Sequence, residues 1–213
     1  MGSREVAREL GMEHTRVSRL LGTLAALGLA AKTPGRKYQA GPGLHVLAAQ
    51  SLKGSRLLAC ALPQLRRLLK ANAPVALGVL WRRHVCYLFF GRPGQPFEEG
   101  LGASAPYPAE QSSIGLVLLA ALSDTEVRRR MRAGPAPLPK QALDELLRQL
   151  KRVRKLGYAL VERAGGERTL AVAIASPPVA GLAFAGALAR GRLPGLRANL
   201  LACARTIAAG LKH

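Results

Sequence analysis

Residues 3–43 read SREVARELGMEHTRVSRLLGTLAALGLAAKTPGRKYQAGPG, and the spacing of apolar side chains in this stretch decides the N-terminal fold. In SREVAREL, Val6, Ala7 and Leu10 share one side of a short helix that Ser3 can cap and Gly11 ends. A second helix runs through HTRVSRLLGTLAALG, where Val17, Leu20, Leu21, Leu24 and Leu27 recur at helical spacing. Two helices about a tight turn containing Gly have the geometry of a helix-turn-helix. Two strand-like pieces then flank Thr33-Pro34-Gly35-Arg36. Pro presets φ at the second position of a type II turn and Gly accepts the positive φ required at the third, so this segment is a hairpin wing. Gly41-Pro42-Gly43 closes the module.

With the apolar stripe centred on Val17, Leu20, Leu24 and Leu27, the side chains of Thr15, Ser18 and Arg19, and the bare backbone of Gly22, face away from it. His14 and Arg16 flank that face. Hydroxyls pair with several bases in the major groove, and Arg holds guanine bidentately or grips phosphate. Lys32, Arg36 and Lys37 on the wing suit phosphate contacts, which position a module without specifying sequence. The expected DNA-binding residues are therefore Thr15, Arg16, Ser18, Arg19, Lys32, Arg36 and Lys37.

Residues 44–61 read as a connecting helix ending before Pro63, and beyond them strands alternate with helices. PVALGVLW and HVCYLFFG are strands joined at Arg82-Arg83, followed by a Gly- and Pro-rich loop to about Gln111. Helices are expected over residues 112–122, after Ser123 with Glu126 as a capping box, and over 141–156 before Gly157. GYALVER and RTLAVAIAS pair across Ala164-Gly165-Gly166, LAFAGALA adds a strand, and residues 196–211 form a last helix. The fold class is α+β, with a winged helix-turn-helix over residues 1–43, a connecting helix over 44–61 and a larger domain over 62–213, its antiparallel strands carrying helices on a face.

The composition is globular, and the net charge of +20 invites a nucleic-acid partner. Most of the excess lies beyond the helix-turn-helix, in runs such as Arg128-Arg129-Arg130 that read as solvated helix faces. Cys60, Cys86 and Cys203 fit neither a disulfide framework nor zinc spacing, so free buried thiols in a reducing cytoplasm are expected. No leader opens the chain, and the uncharged stretch 169–189 is broken by Pro177-Pro178 and reads as a buried hairpin rather than a membrane span. His14, His45, His84 and His213 are scattered, no nucleophile stands beside a base, and Gly91-Arg92-Pro93-Gly94 is too short for a phosphate loop. The reading is a non-enzyme without metal or cofactor. The first turn of the helix at Ser112 leaves amides unpaired, so Ser112, Ser113 and Gly115 can receive a polar ligand group.

Residues 4–44, REVARELGMEHTRVSRLLGTLAALGLAAKTPGRKYQAGPGL, resemble the helix-turn-helix and wing of the IclR family of transcription regulators nearly from end to end. GASAPYPAEQSSIGLVLLAAL resembles that family's effector loop and helix, and LGYALVE its motif before the last strands. The resemblance implies a GAF-like effector domain and a ligand-responsive regulator that binds double-stranded operator DNA as a homodimer or dimer of dimers. It also implies a small organic metabolite held between loop and sheet, with Ser104, Tyr107 and Glu110 at the mouth and Tyr87, Glu162 and Thr169 deeper. Two departures stand out. The family usually carries a further helix ahead of the segment aligned with Ser3, which implies a late start codon or a truncated chain here. Leu116 stands where a Lys is common, and residues 169–187 lack polar groups many members carry, which argues against a strongly anionic ligand held there. A sensor that has lost DNA binding, and a charge-driven nonspecific nucleic-acid binder, are the competing functions.

Overall fold

Gly11, at φ +61°, ends the first helix where the sequence places a stop, because only a residue without Cβ takes the left-handed conformation at low cost. The computed structural model describes residues 1–102, 105–133 and 136–212. The chain divides into two compact units, Met1–Arg56 and Leu57–His213.

In the first unit, α1 (Ser3–Leu10) and α2 (His14–Ala26) form the two helices of the motif. Ser3 is the first residue of α1 and not its cap; its Oγ pairs with His14 Nε2 at 3.0 Å, while Gly2 N donates to the Glu5 carboxylate at 3.2 Å. Glu13 caps α2, its carboxylate accepting from the Thr15 and Arg16 amides at 3.1 and 3.3 Å. Hydrogen bonds from Thr15, then Arg16, hold its carboxyl below the usual carboxylate range. The apolar stripe of α2 lies elsewhere than expected. Val17 is buried and Leu21 half-buried, whereas Leu20, Leu24 and Leu27 are exposed. An inward stripe at 3.6 periodicity takes Val17, Leu21 and Ala25, and the leucine-rich sequence leaves a second apolar row in solvent.

The wing is the antiparallel pair β1 (Ala30–Thr33) and β2 (Lys37–Ala40), with Thr33 opposite Lys37. Gly35 has the positive φ of a type II turn at +84°, and Arg36 follows at +59°. Tyr38 N donates to Met1 O at 2.8 Å and the Met1 ammonium to Tyr38 O at 3.0 Å, so Met1 lengthens this small sheet by one edge. Gly41 is obligatory: a Cβ there would lie 2.2 Å from Gly28 O.

Residues 44–61 do not form one helix. They span α3 (Gly43–Gly54) and α4 (Arg56–Leu69), which part at Ser55 in extended conformation. Pro63 lies inside α4 instead of ending it. The lost hydrogen bond and clash cost about 3 kcal/mol, and burial of Leu58, Ala61, Leu65 and Leu68 on one side of the helix offsets it.

The second unit is built on a six-stranded antiparallel sheet of order β5-β4-β3-β8-β7-β6. Its strands are β3 (Val75–Trp81), β4 (His84–Gly91), β5 (Tyr107–Pro108), β6 (Ala159–Glu162), β7 (Arg168–Ile174) and β8 (Ala180–Phe184). Helices cover both faces, not one. Leu77, Phe89, Val172, Leu182 and Phe184 pack under α4 and α8 (Leu193–Gly210). Ala76, Val85, Ala171 and Ala183 face α5 (Ser113–Ala120), α6 (Asp124–Arg132) and α7 (Lys140–Leu156). The division follows the two-residue period of each strand, and Ala on the α5 face lets that helix approach. Gly78 and Gly181, opposite each other on β3 and β8, extend this: a Cβ on Gly181 would stand 2.7 Å from Ile114 Cγ2 and one on Gly78 2.7 Å from Val85 Cγ1. The α+β class and the buried hairpin of β7 and β8 stand as read from the sequence. Ser123 caps α6 through the Glu126 amide at 3.2 Å, but the Glu126 carboxylate turns to Arg129 and Arg130 and so leaves the capping box half made. Cys203 is buried, whereas Cys60 and Cys86 are only half-buried; all three are free.

Candidate DNA-binding and effector sites

The seven residues expected to meet DNA are all exposed. Thr15, Arg16, Ser18 and Arg19 occupy the first two turns of α2, and Lys32, Arg36 and Lys37 the wing. Val17 and Leu21 hold α2 by the opposite side, which fixes the polar row outward despite the shifted stripe. Glu13 was not foreseen. A Glu is a weaker cap signal than Ser, Thr, Asp or Asn, and its carboxylate compensates the positive end of the helix.

In the second unit a cavity of about 330 Å³ opens between β4, β7, β8 and the start of α5, at the low end of the ~300–1,000 Å³ of ligand pockets. Of the expected effector contacts, Tyr87, Tyr107, Ser112, Ser113 and Thr169 line it. Ser112 and Ser113 are buried at its inner end. Ser112 Oγ both accepts from Gly115 N at 3.3 Å, capping α5, and pairs with Tyr87 Oη at 3.0 Å. The cap and the pocket wall are thus the same hydroxyl.

Three expected contacts lie elsewhere. Gly115 is pressed against Ala109, where a Cβ would come 2.0 Å from the carbonyl oxygen, and its amide is taken by Ser112. Glu110 turns to Arg83, 3.5 Å away in an ion pair whose side chains are only 18% and 11% exposed. Glu162 is paired with Arg168 at 2.9 Å, and this guanidinium, with Arg190, lowers the Glu162 carboxyl from its usual range. The pleat explains the last case. Thr169 pairs with Val161 and Glu162 with Arg168, so Glu162 and Thr169 point to opposite faces. Ser104 lies outside the described residues.

The sequence reading missed Arg163, Arg92 and Glu167, which also line the cavity. Arg163 stands two residues beyond Val161 and therefore on the face of Thr169, a signal the alternation carries. Its guanidinium donates to Tyr107 Oη at 3.1 Å and lies 5.3 Å from that ring's centroid; Tyr107 in turn donates to Gln111 Oε1 at 3.3 Å. Arg92 lies 5.1 Å over the Phe90 ring. Neither arginine has a carboxylate partner among the described residues. Phe90 reaches the cavity because β4 is irregular: Leu77 faces Phe89 but Gly78 faces Tyr87, which leaves Leu88 unopposed and turns Phe89 and Phe90 to faces that strict alternation would exchange. The Tyr87 and Phe90 rings then meet edge to face at 6.3 Å. With two arginines against one glutamate, five hydroxyl-bearing residues and an aromatic wall, the cavity can hold a small anion that carries a flat ring.

No family model matches the chain. A curated relative, the HTH-type transcriptional regulator BhcR of Paracoccus denitrificans (strain Pd 1222), is 28% identical over 221 aligned positions, 97% of this chain and 79% of the relative. Among solved structures, an IclR-family transcriptional regulator from Brucella abortus aligns with a TM-score of 0.77 at 23% identity, over 98% of this chain and 84% of the other. An IclR homolog from Microbacterium hydrocarbonoxydans, complexed with 4-hydroxybenzoate, aligns at 0.67 and 21% identity, over all of this chain and 91% of that one. The chain has the fold of the IclR-type regulators, and the family resemblance read from its N-terminal motif is supported. Among the described residues no helix is long and apolar enough to cross a membrane, and no cluster of His, Cys, Asp and Glu is arranged to hold a metal.

Proposed function

We propose that this protein is a cytoplasmic, non-enzymatic transcription regulator that binds operator DNA as a homodimer or dimer of dimers and responds to a small organic acid held by its larger unit. The observation that carries the reading is the exposed start of α2, where Thr15, Arg16, Ser18 and Arg19 stand in solvent while Val17 anchors the helix. That row presents hydroxyls and guanidinium groups in the spacing that reads base edges, and the wing adds cations for phosphate. Assembly is supported by Leu44, Val46, Leu47 and Leu52 of α3, large apolar side chains left exposed in a small unit.

A duplex selected from a random pool by the purified protein provides the test. Arg19→Ala should weaken binding to the selected duplex by about 1–3 kcal/mol and relax its preference at one position. Lys37→Ala should weaken all duplexes about equally and flatten the dependence on salt. Affinities that respond to neither change remove the groove assignment; a protein that binds no duplex is the sensor without DNA binding, and one that binds every duplex alike with steep salt dependence is the nonspecific binder.

For the ligand, Arg92, Arg163, Tyr107 and the Ser112–Tyr87 pair supply one carboxylate clamp and several hydroxyl partners. A hydroxylated aromatic monoacid of the kind in the Microbacterium hydrocarbonoxydans complex matches that set. A bound acid should stabilise the fold by about 2.7 kcal/mol at a hundredfold excess over Kd, read as a rise in melting temperature. Arg163→Gln should abolish the rise and leave the melting temperature of the free protein nearly unchanged, since Arg163 holds no carboxylate. Small carboxylates that shift wild type and Arg163→Gln equally place the site elsewhere.

A further inference from the structure

A cavity larger than the one beside Ser112 lies elsewhere in the second unit. It measures about 580 Å³ and is formed by the turn between β3 and β4 and the C-terminal half of α6. Trp81, Arg82, Arg83, Arg129 and Arg130 line it. None of these residues belongs to the DNA face or to the cavity beside Ser112.

Three of its four guanidinium groups are fixed in place. Arg129 and Arg130 grip the Glu126 carboxylate at 2.7 and 2.6 Å, and Arg130 also donates to Arg82 O at 3.2 Å. Those hydrogen bonds, Arg129 first, lower the Glu126 carboxyl to about 2, so its charge persists at any working pH. Arg83 is tied to Glu110 and to the Ala136 carbonyl. Four guanidinium groups thus meet two carboxylates, which leaves the cavity two positive charges in excess. Arg82 holds no carboxylate; its φ of +55° turns its side chain over the Trp81 ring, 5.5 Å from the centroid. Trp81 is the single Trp of the chain and is 54% exposed. Arg83 Nε, on a residue of the lining, and Glu110 Oε2, on its ion-pair partner, are buried without a hydrogen-bond partner among the described residues.

A preorganised double positive charge beside an open indole face defines a ligand. Guanidinium forks recognise carboxylate or phosphate oxygens, and the indole stacks on a flat ring. We propose that this cavity is a second small-molecule site, separate from the Ser112 cavity, that binds a flat aromatic ring carrying two negative charges. The ring lies on Trp81 and the anionic group reaches Arg82, Arg129 and Arg130. Two chemistries share that description, a nucleoside monophosphate and a benzenedicarboxylate.

Trp81 is its own reporter, since all indole fluorescence of this 213-residue chain comes from this site. Titration with adenosine 5′-monophosphate and, separately, with benzene-1,3-dicarboxylate should quench it saturably for at least one probe, and which of the two saturates at lower concentration assigns the source. Adenosine and inorganic phosphate, each with half the recognition elements, should bind at least about tenfold more weakly. Arg129→Glu and Arg82→Ala, both at exposed side chains, should each weaken the quenching probe by about tenfold or more while circular dichroism stays native. Arg163→Gln in the other cavity should leave the titration unchanged. Absence of saturable quenching by both probes at millimolar concentrations overturns the proposal. So does quenching that survives both arginine variants, that phosphate or adenosine alone reproduces, or that Arg163→Gln abolishes.

Discussion

Gly115→Ala should destabilise the larger unit by about 3 kcal/mol or more and lower its melting temperature by roughly 6–12 °C. The reason is steric and local. The added Cβ would stand 2.0 Å from Ala109 O, 2.5 Å from Ala109 Cα and 2.6 Å from its carbonyl carbon, all backbone atoms that no rotamer change can remove. Helix α5 has no room to retreat, because Ser113 to Leu119 are buried without interruption. Gly195→Ala in α8 is the control: nothing lies within 4 Å of the new methyl, and replacing Gly in a helix should stabilise by a few tenths to ~1 kcal/mol. Thermal unfolding of both variants checks the pair, and an unchanged melting temperature for Gly115→Ala would contradict the packing described.

The second large effect is expected at Glu110. Removing one partner of a well-buried ion pair strands the other charge, a loss of about 3–5 kcal/mol when burial is complete. Arg83 keeps 18% of its side chain exposed and the pair is separated by 3.5 Å, so Glu110→Ala should cost less, about 2–3 kcal/mol. Replacing both partners by apolar residues of similar size, Arg83→Met with Glu110→Leu, should recover most of that loss. The comparison also separates structure from sensing. Glu110→Ala should lower the melting temperature of the free protein and leave the rise on adding an acid intact, because Glu110 faces Arg83 and not the cavity beside Ser112. A variant that melts normally but no longer responds to ligand would reverse this assignment.

How far the sequence carried the fold depends on which physical signal each element gives. Strands and turns with strong local chemistry were legible: Gly35 in the wing turn, Gly157 at φ +74° ending α7, and the β6–β7 hairpin all lie where their residues put them. The course of α2 was legible but its inward face was not, since a run with leucine on two sides offers two stripes and only packing chooses Val17 and Leu21. The break at Ser55 and the helical Pro63 were illegible for a related reason. Tertiary burial of Leu58 and Leu65 overrides the local penalty that made Pro63 read as a stop.

At the candidate effector site the same division holds. Hydroxyls at the start of a helix announce themselves by type, and Tyr87, Tyr107, Ser112, Ser113 and Thr169 converge on one cavity. Glu162 was a contact implied by the family resemblance, and the alternation of the strand turns it to the other face. Glu110 and Gly115 do not line that cavity, because each is spent on a contact remote in sequence or hidden in the backbone, Arg83 in the first case and Ala109 in the second. Arg163 was within reach of a period-two argument, but Arg92 comes to the cavity from the loop after an irregular strand, and no local pattern encodes that.

The glycines at 78 and 181 carry an evolutionary consequence. They sit opposite each other on the two central strands, and Ile114 occupies the space both leave, 2.7 Å from where a Cβ of residue 181 would be and 3.4 Å from one at 78. A methyl at 78 would be stopped by Val85 Cγ1 at 2.7 Å and would only touch Ile114, so the shared volume is that of 114 and 181. A drift to Ala at 181 is tolerable only in a lineage where 114 has already lost a branch, and a lineage fixed for a large residue at 114 is locked into Gly at 181. Aligned descendants of this chain should show 114 and 181 changing together, with the order of replacement running from 114 to 181 and never the reverse.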